Sequence, residues 1–214
     1  MNVRMFCGGV AQTNAYAYAR EGEAILIDAP EGSADWFAET CRNEKLQPRA
    51  LLLTHGHWDH IIEARTVQKN LKIPVVVHQD SLVLVEKPAI QEAYNPFYQI
   101  EPCKPDRVLH HEHEWNLGPF KSQIFLCPGH CPGSLCFYFQ EDAILFAGDV
   151  LFAGSVGRWD LPGGSMRDLI HSIHTHLLPL PDETQVYPGH GPSSTLGEEK
   201  QTNSYLARPT SWSS

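Results

Sequence analysis

The chain has 214 residues, 42% hydrophobic and 19% charged, which suits one sizeable folded domain and excludes global disorder. Lys and Arg number 16 against 25 Asp and Glu, a formal charge of −9 that argues against a nucleic-acid backbone or an anionic membrane as partner. No segment approaches the ~18 apolar residues of a membrane span, and the N-terminus lacks the apolar core of a secretory signal.

Residues 16–20 and 24–27 read as strands joined through Glu21-Gly22-Glu23, with Asp28 ending the second. Ser33 or Asp35 is placed to cap a helix running to about residue 43, with Trp36, Phe37 and Cys41 on one face. Residues 50–53 are an apolar run of the kind found in a fully buried strand. A helix is expected over about 60–70 and a strand over 74–78. Residues 88–105, rich in proline and aromatics, have no periodicity and read as a long surface loop, the kind that covers a site or packs on a sheet. Strands follow over 120–126, 135–139 and 143–147, then a helix over 166–178 and a last strand over 184–187. A polar tail follows Leu206. Strands outnumber helices, and the two alternate through the middle of the chain. That order points to an α/β sandwich with helices outside two sheets.

Twelve histidines are an excess that adds little charge at neutral pH and points to metal or proton chemistry. The strongest signal is His55-x-His57-x-Asp59-His60, directly after the apolar run. Histidines at i and i+2 of an extended segment point the same way and can meet one ion. Asp59 and His60 fall where the chain turns into a helix and can reach a second point nearby. Three further segments repeat this logic: Pro128-Gly129-His130, Gly148-Asp149 and Pro188-Gly189-His190 each follow a predicted strand. In each, glycine allows a sharp turn and close approach. Five His and two Asp exceed the needs of one tetrahedral ion but suit two ions sharing a carboxylate. The assignment is His55, His57 and His130 on the first ion, Asp59, His60 and His190 on the second, and Asp149 bridging. Zinc is the first choice of metal; iron and manganese accept the same donors.

These residues, from Thr54-His55-Gly56-His57-Trp58-Asp59-His60 to Gly189-His190, resemble the metallo-β-lactamase superfamily over nearly the whole chain. The resemblance implies an αββα four-layer sandwich with a dinuclear site at one edge, held by the same seven residues. Pro128-Gly129-His130-Cys131-Pro132-Gly133-Ser134 and the stretch from Gly148-Asp149 to Gly163-Gly164 resemble the short glyoxalase II-like branch, often called YcbL-type. Cys131 stands where threonine is usual, and Trp159 where a smaller residue is common. The whole of 1–214 is expected to be one domain of this fold, ending without the C-terminal helical domain that holds glutathione in full-length glyoxalase II. In this superfamily His57, rather than Glu, points to hydrolysis, and Asp149, rather than Cys, to glyoxalase-like or lactonase-like branches.

The implied activity is metal-dependent hydrolysis of a small-molecule thioester such as S-lactoylglutathione, with Asp59 both ligating the second ion and orienting the nucleophile or accepting its proton. The alternatives are a mononuclear-iron persulfide dioxygenase, a lactonase or other ester hydrolase on the same site, and a non-catalytic metal-binding protein. Neither nucleic acid nor membrane is an expected partner, and the oligomeric state is left open. Six cysteines without a C-x-x-C pair read as free thiols of a cytoplasmic protein. Arg158, Trp58 and Trp159 are candidates to line the pocket. The cluster His110, His111 and His113 reads as an exposed edge or turn, His171, His174 and His176 as a solvated helix face, and His78 as an ordinary hydrogen-bonded residue.

Overall fold

Alternation along two six-stranded sheets decides what each face of the molecule touches. The structure is a computed structural model that describes residues 2–111 and 113–206. The first sheet runs β1 (Val3–Gly8), β2 (Thr13–Arg20), β3 (Glu23–Ile27), β4 (Gln47–Leu52), β5 (Val75–His78) and β6 (Arg107–Leu109) in that spatial order. Its first three strands are antiparallel and its last four parallel. The second sheet contains β7 (Glu114–Leu117), β8 (Phe120–Leu126), β9 (Leu135–Phe139) and β10 (Ile144–Gly148). After a small hairpin of β11 (Leu151–Phe152) and β12 (Ser155–Val156), it gains β13 (Gln185–Pro188) and β14 (Ser194–Thr195). Its order is β14-β13-β10-β9-β8-β7.

Period-two alternation sends Tyr16, Tyr18, Ile25, Ile27, Leu52 and Val76 inward, where they meet Phe120, Ile124, Phe137, Phe139, Phe146 and Tyr187 of the facing sheet. The alternate residues Ala15, Ala17, Leu26, Leu51, Val75 and Val77 face outward and are covered by α1 (Ser33–Glu44) and, beyond the short α2 (Trp58–Ile61), by α3 (Ala64–Leu71). After α4 (Leu82–Glu86), the remaining helices α5 (Met166–Ser172) and α6 (Leu196–Thr202) cover Cys136, Tyr138, Leu145, Ala147 and Val186 on the outer face of the second sheet. The layers are therefore helix, sheet, sheet, helix, the αββα order expected.

Several local expectations are corrected. The expected helix over 60–70 is two helices, α2 and α3, broken at Ile62 and Glu63. Glu63 is used elsewhere: its amide donates to the Ala29 carbonyl at 2.9 Å and its carboxylate accepts from the Ala34 amide at 2.7 Å. That contact replaces the expected Ser33 or Asp35 cap, because the residue at the cap is Gly32 at φ 85° and has no side chain to offer. Ser33 instead donates its hydroxyl to the Pro30 carbonyl at 2.7 Å. Residues 88–105 begin with a 3₁₀ turn over Pro88–Gln91 and then run irregularly. The expected helix over 166–178 is α-helical to Ser172 and continues as a π-helical turn over Ile173–Leu177.

Candidate metal centre

Strand direction gathers the seven candidate donors. β8 and β10 both run antiparallel to β9, and β13 runs parallel to β10, so these three strands end on one side of the sheet. The segments that follow them carry His130, Asp149 and His190. In the first sheet β4 ends on the same edge of the molecule and is followed by His55 and His57, with Asp59 and His60 in the first turn of α2. An antiparallel bridge between Thr13 and His190 joins the two sheets there.

Three ring nitrogens form a triangle. His55 Nε2 lies 3.1 Å from His57 Nδ1 and 3.3 Å from His130 Nε2, and the latter two are 2.7 Å apart. A second group follows: Asp59 Oδ2 lies 3.5 Å from His60 Nε2 and 3.3 Å from His190 Nε2. Asp149 reaches both groups, with Oδ1 3.3 Å from His60 Nε2 and Oδ2 3.5 Å from His190 Nε2 and 3.6 Å from His130 Nε2. Donors on a tetrahedral ion with bonds of ~2.0–2.1 Å lie about 3.3 Å apart, so these spacings fit two adjacent ions. Two atoms test the fit independently. His60 Nε2 and Asp149 Oδ1 are buried and face each other at 3.3 Å without a formed hydrogen bond. Such an arrangement is costly unless a cation satisfies them.

The rings are aimed by the groups behind them, chief among them Asp28, which carries no site signal in the sequence. His60 Nδ1 donates to Asp28 Oδ2 at 2.8 Å. His55 Nδ1 donates to the Thr54 hydroxyl at 3.0 Å, which donates in turn to Asp28 Oδ2 at 2.7 Å. His130 Nδ1 donates to the Arg158 carbonyl at 2.8 Å. Each bond puts the proton on the far nitrogen and turns the Nε2 lone pair toward the centre. Thr13 donates to Asp59 Oδ2 at 2.6 Å. The only sequence signal for Asp28 was position: it follows a buried strand and belongs to no histidine motif, whereas Thr54 opens the 54–60 motif.

The two groups differ electrostatically. Burial drives His55 well below the ordinary imidazole range, and the neighbouring rings of His60, His57 and His130 add to it. His57 is lowered to about 4, by burial first and His130 next. Burial also opposes charge on His60, yet Asp59, Asp149 and Asp28 outweigh it and hold that imidazolium well above its usual range. His190 is raised to about 10 against burial, by its bonds to Asp149 and Asp59. Asp59 is lowered to about 2 and Asp149 falls well below the carboxylate range, both against burial, with His60 the largest cause. One group therefore offers neutral lone pairs, and the other holds protons between carboxylates that a cation can displace.

The centre opens into a cleft of about 520 Å³, lined on one side by Trp58, Ile90 and Tyr94 and on the other by Cys131, Arg158 and Leu161. Part of the 88–105 segment thus walls the site, anchored by Gln91, which accepts from the Trp58 amide at 2.9 Å and donates to the Gly56 carbonyl at 3.0 Å. Trp58 stacks on Tyr98 at 5.8 Å. Trp159 turns away and meets Tyr205. His78 donates to the His110 carbonyl and lies with His110, His111, His113 and His176 around a separate groove. Among the described residues, close groups of three or more potential metal donors occur only at the seven-residue centre and the adjoining Cys131.

The metallo-beta-lactamase superfamily model matches residues 8–190. The chain is 36% identical over 200 residues to the probable metallo-hydrolase YqgX of Bacillus subtilis (strain 168), covering 92% of this chain and 94% of that protein. It is 35% identical over 189 residues to the hydroxyacylglutathione hydrolase GloC of Haemophilus influenzae, covering 87% and 88%. The BLEG-1 B3 metallo-beta-lactamase structure matches with a TM-score of 0.90 at 40% identity, over 96% of this chain and 100% of that one. TTHA1623, solved in a di-iron-bound form, matches at 0.85 and 38% identity over 95% and 100%. No helix among the described residues is long and apolar enough to cross a membrane. The chain belongs to the metallo-beta-lactamase superfamily, and its clustered His and Asp groups imply a divalent metal.

Proposed function

We propose that this protein is a metal-dependent hydrolase of small-molecule thioesters such as S-lactoylglutathione. The observation that carries the reading is the convergence of seven His and Asp donors at the floor of a partly apolar cleft. The likeness to a hydroxyacylglutathione hydrolase supports the thioester as substrate. His55, His57 and His130 would hold one ion, Asp59, His60 and His190 a second, and Asp149 both. Such a pair supplies hydroxide at neutral pH and polarises a carbonyl oxygen. Zinc is the metal proposed.

The chain's own residues do the rest. Asp59 is ionised at neutral pH and lies on the cleft wall, so it orients the nucleophile or accepts its proton. Thr13 fixes that carboxylate through Oδ2. Trp58, Ile90, Tyr94 and Leu161 exclude water and hold the apolar part of the substrate. Arg158 is the cation in the cleft wall and is shared with Asp160, at 2.8 and 2.9 Å. The charge of −9 supports a small-molecule partner rather than nucleic acid or membrane, and the free, mostly buried cysteines support a cytoplasmic setting.

The test pairs metal content with thiol release from S-lactoylglutathione on one purified sample. About two ions per chain and chelator-sensitive release are expected. Two ions without release would overturn the thioester reading and move the search to lactones and, given the likeness to BLEG-1, to a chromogenic β-lactam. A single iron with oxygen uptake on glutathione persulfide would replace hydrolysis with the dioxygenase reading.

A further inference from the structure

We propose that the cleft wall formed by Trp58, Leu84, Ile90 and Tyr94 recognises an apolar group on the substrate, so that thioesters carrying an alkyl or aryl chain are preferred to the compact, hydroxylated lactoyl group. The wall opens onto the metal centre, since Asp59, Asp149 and His190 line the same cleft. Its burial pattern is inverted. Gln91 and Asn95 are polar yet each is 5% exposed, whereas Ile90 and Tyr94 beside them are 54% and 51% exposed. Apolar side chains that face water, on a segment whose polar side chains point inward, mark a binding surface rather than packing.

The inward residues hold the wall in place. Gln91 ties it to the segment carrying the candidate donors, through the Trp58 amide and the Gly56 carbonyl. Asn95 closes the far end: its side chain accepts from the Tyr98 amide at 3.0 Å and donates to the Tyr98 carbonyl at 2.8 Å. The Tyr98 ring in turn stacks on Trp58. Leu84 approaches because position 56 is glycine: an added Cβ there would lie 2.9 Å from the Leu84 Cβ. The chemistry of the wall is one-sided. Gln91, its amide, has both ends engaged. The polar tips of Trp58 and Tyr94 aside, the described residues of this wall offer a substrate hydroxyl no side-chain partner beyond the metal donors. A hydroxyl laid on it gives up water without replacement, while each methylene gains by leaving water.

The inference rests on the hydrolytic centre proposed above and names the group its substrate carries. The zinc-loaded full chain is tested on three series. One lengthens the acyl group from acetyl to hexanoyl on a constant thiol, and one lengthens the thiol on a constant acetyl group. The third, read by calorimetry without turnover, runs alkanoates from acetate to hexanoate. In the acyl or the thiol series kcat/KM is expected to rise about two- to fourfold per methylene, and affinity to rise likewise among the alkanoates. The thioester series that rises assigns the apolar group to the acyl or the thiol side. The propanoyl thioester is expected to exceed the lactoyl one, from which it differs only by the hydroxyl. Ile90→Asn and Tyr94→Asn are expected to flatten the rise, and Val83→Asn, which changes an exposed residue outside the cleft wall, to keep it. Wild-type protein that is flat in all three series overturns the proposal, and so does a preference for lactoyl over propanoyl. A rise that Ile90→Asn and Tyr94→Asn both leave unchanged overturns it too. A rise among the alkanoates with no thioester cleaved keeps the apolar wall and overturns the thioester reading instead.

Discussion

The carboxylate of Asp28 accepts a hydrogen bond from the ring of His60, Nδ1 to Oδ2 at 2.8 Å, with both residues 2% exposed or less. Asp28 also accepts from the Thr54 amide and hydroxyl, each at 2.7 Å. One carboxylate thus orients rings assigned to both ions, His60 directly and His55 through Thr54. Asp28 sits at φ 58°, a left-handed conformation that asparagine tolerates as well as aspartate. Asp28→Asn should therefore keep the backbone and lose the charged acceptor. Metal affinity is expected to fall roughly 10–100-fold, read by chelator competition at fixed pH. An unchanged affinity would remove Asp28 from the centre's design.

Asp59→Ala tests the proposed base. With metal content restored by excess zinc, turnover is expected to fall on the order of 10²-fold or more. Near wild-type turnover in the metal-loaded variant would sink the role. Thr13→Val keeps the shape of the side chain and removes the 2.6 Å bond to Asp59. A smaller loss, about tenfold, with bound metal unchanged, is expected there.

The seven residues that the structure gathers were legible in the sequence because each stands just past an apolar run beside small or turning residues, a pattern set by strand ends. Asp28 was not, because a single Asp at a strand end carries no spacing signal. The missed strands share a different cause. β1 alternates buried and partly exposed residues, and β6 and β7 are short sheet edges, so none shows a continuous apolar run. The single helix expected over 60–70 failed at Glu63, where periodicity continued but the side chain was committed to the start of α1. Only tertiary contact decides such a break.

Gly189 is required by space rather than by φ. A Cβ there would stand 2.0 Å from Asp149 Oδ1 and 2.8 Å from His60 Cε1. Gly189→Ala is expected to displace Asp149, cut bound metal by at least about half, and destabilise by about 1–3 kcal/mol through overpacking. Gly191→Ala is the contrast: at φ 76° it meets nothing within 4 Å, so it should cost roughly 1–2 kcal/mol in backbone strain and leave metal content intact. Equal metal loss in both would contradict the spatial argument. Metal analysis and thermal unfolding on the two variants decide it.

Metal loading should release protons. His60 is held well above its ordinary range and His190 at about 10, so both rings are protonated at neutral pH in the metal-free protein. Ligation needs them neutral. About two protons should leave from these rings per filled centre, with a further one where a bound water becomes hydroxide, and apparent affinity should climb as pH rises. Calorimetry in two buffers of different protonation enthalpy measures the release, and none at neutral pH would contradict the assignment of both rings. Stability of the metal-free protein should run the other way. The raised groups contribute fully below the ordinary imidazole value, and that contribution is lost as pH rises, through about 10 for His190.

Four of the seven candidate donors come from the segment that leaves β4 and runs through α2, and the other three follow β8, β10 and β13 of the second sheet. Asn14 of β2 adds its own grip, donating its side-chain amide to the carbonyls of Pro188 at 3.0 Å and Gly191 at 2.9 Å. The centre is therefore a clasp across the seam between the two halves of the chain. During synthesis the clasp stays open until His190 has emerged, so a truncated or nascent chain cannot be fully loaded. Once closed, it resists separation of the halves, because an ion that binds only the docked state stabilises that state by mass action.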